Sequence, residues 1–91
     1  MRAVLCKQFG PPESLVVEEV PDPTPGPGEI VVDVAGCGVN FPDFLIIQDK
    51  YQFKPQLPFS PGGEIAGTVR SVGQGVDSPS VGDRVLATLG W

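Results

Sequence analysis

Residues 60–85 read SPGGEIAGTVRSVGQGVDSPSVGDRV. The first part, residues 64–72, is rich in β-formers and small residues and reads as an extended strand. A polar turn follows at Gly73-Gln74-Gly75, then a loop containing Pro79. The polar corner Gly82-Asp83-Arg84 launches a second apolar strand from Val85. The stretch holds six glycines. Glycine serves where φ must be positive or where backbones approach closely. The pattern predicts a sheet bent sharply back on itself, with bulges or corners.

The rest of the chain fits around that sheet. The chain has 91 residues, enough for one small domain with a modest core. Eleven prolines and twelve glycines punctuate alternating apolar runs, which argues for a turn-rich β domain. Residues 1–8 read as a first strand, ended by Gly10-Pro11-Pro12 because proline cannot donate to a ladder. Residues 15–20 (LVVEEV) read as a second strand; Glu18 and Glu19 cannot both face a core, so one face is wet or at an edge. Residues 21–28 (PDPTPGPG) form a rigid connector. Residues 29–37 are the clearest strand, with one polar residue, Asp33, among six alternating positions, and are expected to be largely buried. Residues 40–49 (NFPDFLIIQD) are the one helical candidate, with Asn40 as N-cap and Pro42 in the first turn. Residues 51–61 form a long loop carrying Tyr51, Phe53 and Phe59. Two readings stand for it: lining a site, or covering the core. The predicted fold class is all-β with one short helix.

Several functions are excluded. The formal charge is −5, which offers no electrostatic footprint for nucleic acid and no basic cluster for anionic membranes. No run approaches the roughly 18 apolar residues of a spanning helix, and the N-terminal apolar run is too short for a secretory signal. The expected location is cytoplasmic. The two cysteines, Cys6 and Cys37, sit in no paired motif and read as buried free thiols. The chain has no histidine, which removes His triads and His-ligated zinc. Neither Gly36-x-Gly38-x-x-Phe41 nor Gly73-x-Gly75-x-x-Ser78 completes a dinucleotide fingerprint.

Gly63-Glu64, Ala66-Gly67-Thr68-Val69, Val72-Gly73-Gln74-Gly75-Val76 and Val81-Gly82-Asp83-Arg84-Val85 occur in the order and spacing of a known signature. In these motifs the chain resembles the medium-chain dehydrogenase/reductase superfamily, specifically its zinc-free quinone oxidoreductase branch. Cys37-Gly38-Val39-Asn40-Phe41-Pro42-Asp43, Tyr51 and the run from Leu57 to Gly62 are similar to that branch too. The resemblance extends from the first strand to Trp91. It implies a GroES-like, partly closed β-barrel, incomplete here. Residues 1–91 would be the N-terminal part of a catalytic domain, truncated and without its Rossmann domain.

The resemblance also implies the chemistry. The parent would be a homodimeric, NADPH-dependent reductase passing hydride to a small-molecule quinone or enone. Zinc-dependent relatives hold a cysteine where this chain has Asn40 and a histidine where it has Gly63, so no zinc is expected; such catalysis needs about three protein ligands. Asn40 would contact the nicotinamide, with Phe41 beside it, and Asp43 would orient neighbours. The Tyr51 hydroxyl would donate to a developing oxyanion. Packing alone is the alternative for Tyr51, a plain helix cap for Asn40, and a first-turn residue favoured by the helix dipole for Asp43. Some relatives carry a second site tyrosine where this chain has Leu45. Glu64 is expected to be a buried, hydrogen-bonded structural carboxylate. The 91 residues alone are expected to lack reductase activity. Two other functions fit the residues: an enoyl-thioester or alkenal reductase of the same superfamily, and a non-catalytic β binding module.

Overall fold

A computed structural model of the chain describes residues 1–90; Trp91 lies outside the described residues. Five strands and one helix follow in chain order: β1 (Arg2–Leu5), β2 (Val16–Glu19), β3 (Ile30–Gly38), α1 (Phe41–Ile46), β4 (Glu64–Val72) and β5 (Arg84–Thr88). A single 3₁₀ turn, Pro12–Ser14, precedes β2. The architecture is mostly β with one short helix, in line with the sequence.

Strands β1 and β2 form an antiparallel pair, and β3, β4 and β5 form a second antiparallel sheet in that order. Among the described residues the two sheets do not close into a barrel. The β3–β4 register slips twice. Val31 pairs Ser71 and Val32 pairs Val69, which leaves Arg70 as an extra residue on β4; Val34 pairs Gly67 and Gly36 pairs Ala66, which leaves Ala35 extra on β3. Two such bulges raise the local twist and curl the sheet. Gly67 sits between the two bulges, where an added Cβ would run into the Asp33 carbonyl. The corners after β4 also match the sequence, with positive φ at Gly75 (83°) and Gly82 (94°).

The core is small. Cys6, Ile46, Ile47 and Phe59 form one buried cluster, with Leu15 and Tyr51 packed against it. Phe59 joins through backbone as well: Cys6 and Phe59 exchange N–H···O bonds of 2.8 and 3.2 Å, carrying the β1 edge onto the long loop. Val31 and Val69 are buried in the larger sheet. A surface network ties the two sheets together. The Met1 ammonium pairs with Asp22 at 2.9 Å, and Arg70 bridges Asp22 and Asp33.

Four expectations are corrected. Strand β3 is mostly exposed: only Val31 is buried, and Val34 is 55% exposed. Alternation marks an apolar face, but burial needs a covering layer, and among the described residues none covers most of β3. The helix ends at Ile46 rather than near Asp49. Asp49 adopts φ 60°, while the Lys50 and Asp49 N–H groups donate to the Leu45 and Ile46 carbonyls at 3.0 and 3.3 Å. That is a Schellman ending with aspartate in the place glycine usually takes. Cys6 is a buried free thiol, but Cys37 is exposed. Glu64 is exposed too, because it opens β4 on the outward-facing side of the sheet.

Candidate functional site

The site begins at the start of α1. Asn40 is the N-cap with extended backbone (φ −128°, ψ 167°), and Pro42 lies in the first turn. Asp43 stands three residues after the cap and is 5% exposed. Its Oδ2 accepts the Asn40 N–H at 2.9 Å, satisfying one of the donors a helix start leaves open. Its Oδ1 accepts the Gly62 N–H, also at 2.9 Å, across 19 residues of sequence. One buried carboxylate thus clasps the helix start to the loop before β4. Hydrogen bonds to an ionised acceptor are among the stronger ones in proteins.

Gly62 is fitted to this clasp in two ways. Its φ is +103°, and an added Cβ would lie 2.6 Å from the Cys37 sulfur. Only glycine meets both conditions without strain. The next residue extends the tie: the Gly63 carbonyl accepts the Leu89 N–H at 2.6 Å. Helix start, loop and the end of β5 therefore meet at one end of the larger sheet.

A cleft of about 340 Å³ opens beside the clasp. Val4, Leu15, Val39, Phe44, Ile47 and Pro61 form most of its wall, and Asp43 lies in its side. None of the residues bordering it is cationic. Phe41 stands outside it, 69% exposed, and stacks on Phe44 with ring centroids 6.3 Å apart and planes at 24°. The offset fits the usual preference of aromatic pairs. Asn40 is exposed. Tyr51 is half-buried against the Cys6, Ile46, Ile47 and Phe59 cluster and does not border the cleft.

The structure therefore joins Asn40 and Asp43 directly, sets Phe41 next to them, and seats Tyr51 on the core beneath the helix. Sequence reasoning did not identify the backbone of Gly62 and Gly63 or the wall residue Phe44. The Pro61-Gly62 pair signals a turn, but nothing local names a partner 19 residues away. Among the described residues, no group of three His, Cys, Asp or Glu side chains is placed to hold a metal ion. No helix among them is long and apolar enough to cross a membrane. Cys6 is a poor nucleophile: burial pushes its thiol up, although its Sγ also bonds the Gln8 carbonyl at 3.3 Å.

The fold is that of a known domain. The profile of the alcohol dehydrogenase GroES-like domain matches residues 26–90, and the chain belongs to that family, within the medium-chain dehydrogenase/reductase superfamily. Among individual proteins, it is similar to the quinone oxidoreductase-like protein 2 homolog of Nematostella vectensis, with 49% identity over 90 residues, 98% of this chain and 24% of that protein. The crystal structure of Escherichia coli quinone oxidoreductase complexed with NADPH superposes with a TM-score of 0.92 at 34% identity, covering 100% of this chain and 28% of that one. The human synaptic vesicle membrane protein VAT-1 homolog-like protein gives a TM-score of 0.94 at 35% identity, over 100% of this chain and 29% of that one. The chain thus spans about a quarter of the length of its relatives.

Proposed function

We propose that this chain is the N-terminal part of a catalytic domain and supplies one wall of the active-site cleft of a cytoplasmic, NADPH-dependent, zinc-independent reductase. The acceptor is a small quinone or activated alkene. The observation that carries the reading is the Asp43 clasp, which fixes the exposed Asn40 and Phe41 pair against the loop before β4, in a chain with quinone oxidoreductases among its relatives. Such a site works by positioning and polarisation.

The residues present fit the nicotinamide end of the cofactor and no more. Asn40 offers an exposed carboxamide and Phe41 an exposed flat ring. No glycine-rich phosphate loop opens a helix here, so the phosphates require residues outside this chain. NADPH, when bound, supplies the hydride. Asn40, with its exposed carboxamide, would hydrogen-bond the nicotinamide end of the cofactor and help to orient it. Asp43 is a positioning residue: it holds the Asn40 backbone. Tyr51, its ring braced on the core cluster, does not border the cleft, and its hydroxyl would donate to the oxygen that gains charge only for an acceptor bound on its own side of the helix. Zinc independence is supported by the donor set, since Asn40 and Gly63 offer no ligand of the usual zinc type and the chain has no histidine.

The 91 residues alone are inactive on this reading, because half a cleft neither binds the cofactor nor excludes water. The test is a chimera in which the chain replaces the matching quarter of E. coli quinone oxidoreductase. It should reduce 1,4-benzoquinone with NADPH, keep its rate after dialysis against a chelator, and lose at least tenfold in kcat/KM on Asn40→Ala, about the loss of one positioning contact. A chimera that folds and binds NADPH but reduces no quinone sinks the reading.

A further inference from the structure

Glu64 opens β4, and its cross-strand partner is Gly38, the last residue of β3. Gly38 does not have the positive φ that would call for glycine, so its missing side chain has another use. A methyl group built on it would meet the Glu64 carboxylate, and the three nearest atoms all belong to the Glu64 side chain. A cross-strand pair normally holds two side chains next to each other. Here Gly38 is a seat, and the glutamate lies back across it.

The seat adjoins the candidate site. Asn40 stands two residues beyond Gly38, no more than about 7 Å away between Cα atoms. The start of β4 is held at the same end of the sheet, because Gly62 donates to Asp43 and the Gly63 carbonyl accepts the Leu89 N–H. Thr88 continues the row from Gly38 through Glu64 onto β5. Among the described residues, the others bordering the seat carry no charge. Asp43 is the second carboxylate at this end, and its two oxygens already serve the Asn40 and Gly62 N–H groups.

We propose that Glu64 sets a negative charge beside the nicotinamide ring and makes the site favour the oxidised cofactor over the reduced one. This rests on the reductase reading, which puts Asn40 at the nicotinamide end. The two cofactor forms share their phosphates, riboses and adenine and differ by one positive charge on the ring. In the reaction a C–H bond of the dihydronicotinamide breaks, the hydrogen and both bonding electrons pass to the quinone, a proton from solvent completes the hydroquinone, and the ring is left cationic. A carboxylate already in place stabilises that charge as it develops, with no reorganisation at the moment of transfer. Opposite unit charges about 7–10 Å apart near a protein surface attract strongly enough to change affinity about tenfold, after partial screening by salt. The neutral ring of the reduced form gains little.

The experiment is calorimetric titration of the E. coli chimera with NADP⁺ and with NADPH in turn. Glu64→Gln keeps the side chain's size and removes its charge; it should weaken NADP⁺ about tenfold and NADPH less than about twofold. A merely structural role moves both constants together, so their ratio is the readout. Gly38→Ala keeps the charge but pushes the carboxylate off its seat, and should move the ratio the same way by at least about twofold. If Glu64→Gln fails to fold, Gly38→Ala decides. A chimera that binds neither form, or reduces no quinone, contradicts the reductase reading and this inference with it. A chimera that binds both forms and reduces quinone, with the ratio unchanged in the variants, overturns this inference alone; that is the result expected if a cation elsewhere in the complete protein neutralises Glu64.

Discussion

Asp43 is where stability and site geometry meet, and Asp43→Ala should expose both. The residue is 5% exposed, and its two oxygens serve the Asn40 and Gly62 N–H groups at 2.9 Å each. Removing the carboxylate strips two buried donors of a charged acceptor. One hydrogen bond to a charged group contributes about 1.5–3 kcal/mol. Water that enters the space left behind recovers part of the loss, so we expect about 3 kcal/mol for the pair. Folded domains hold only about 5–15 kcal/mol in total, and small ones sit near the low end. With a urea dependence of about 1.5 kcal/mol per molar, the unfolding midpoint should fall by about 2 M. Asp43→Asn keeps the volume and one acceptor, and should lose roughly half as much. Equilibrium unfolding followed by far-ultraviolet circular dichroism reads both. A loss below about 0.5 kcal/mol for Asp43→Ala, the range of ordinary surface changes, would refute the clasp.

Other outcomes follow from burial and charge. Ile46 is 1% exposed in the core cluster, and Ile46→Ala should cost about 3 kcal/mol in the same urea titration. Cys37 is exposed and Cys6 buried, so a thiol reagent should titrate one sulfur in the folded chain and two in denaturant. A hydrogen bond from the Met1 ammonium and that group's charge, with help from Arg70, hold Asp22 below the usual carboxylate range, and Asp22 in turn raises the ammonium. The lowered acid stabilises the fold above the ordinary carboxylate range, and that contribution is lost as pH falls through the folded value. The raised amine stabilises below the ordinary amine value, and its share is lost as pH rises through the folded value. Asp22→Asn should therefore lower the urea midpoint at neutral pH, leave it unchanged at the acid extreme, and lower it less at the alkaline one, where the amine has lost its charge but Arg70 still pairs with Asp22.

Local chemistry made much of the fold legible. Gly75 and Gly82 marked turns where φ is positive, and Asn40 with Pro42 marked the helix start, because turns and caps are set by a few adjacent residues. The strands were readable from alternation, but their burial was not. Val32 and Val34 share one face of β3 and look alike in sequence whether or not a layer lies over them; Val32 is half-buried and Val34 exposed. The helix end was missed because aspartate, not glycine, holds the left-handed position at Asp49. Glu64 was expected to be a buried carboxylate, yet strand parity turns it outward. The site was half legible for the same reason: Asn40 and Asp43 are neighbours in sequence, while the Asp43 to Gly62 bond is made by the fold.

The central claim is that this chain is one wall of a two-part NADPH site. Calorimetric titration of NADPH into the purified 91-residue chain and into the E. coli chimera tests it most directly. The account predicts binding by the chimera, weakened by Asn40→Ala, and no binding heat from the chain alone. Comparable affinity for the chain alone would contradict it, and would mean that this small open sheet carries a complete nucleotide site.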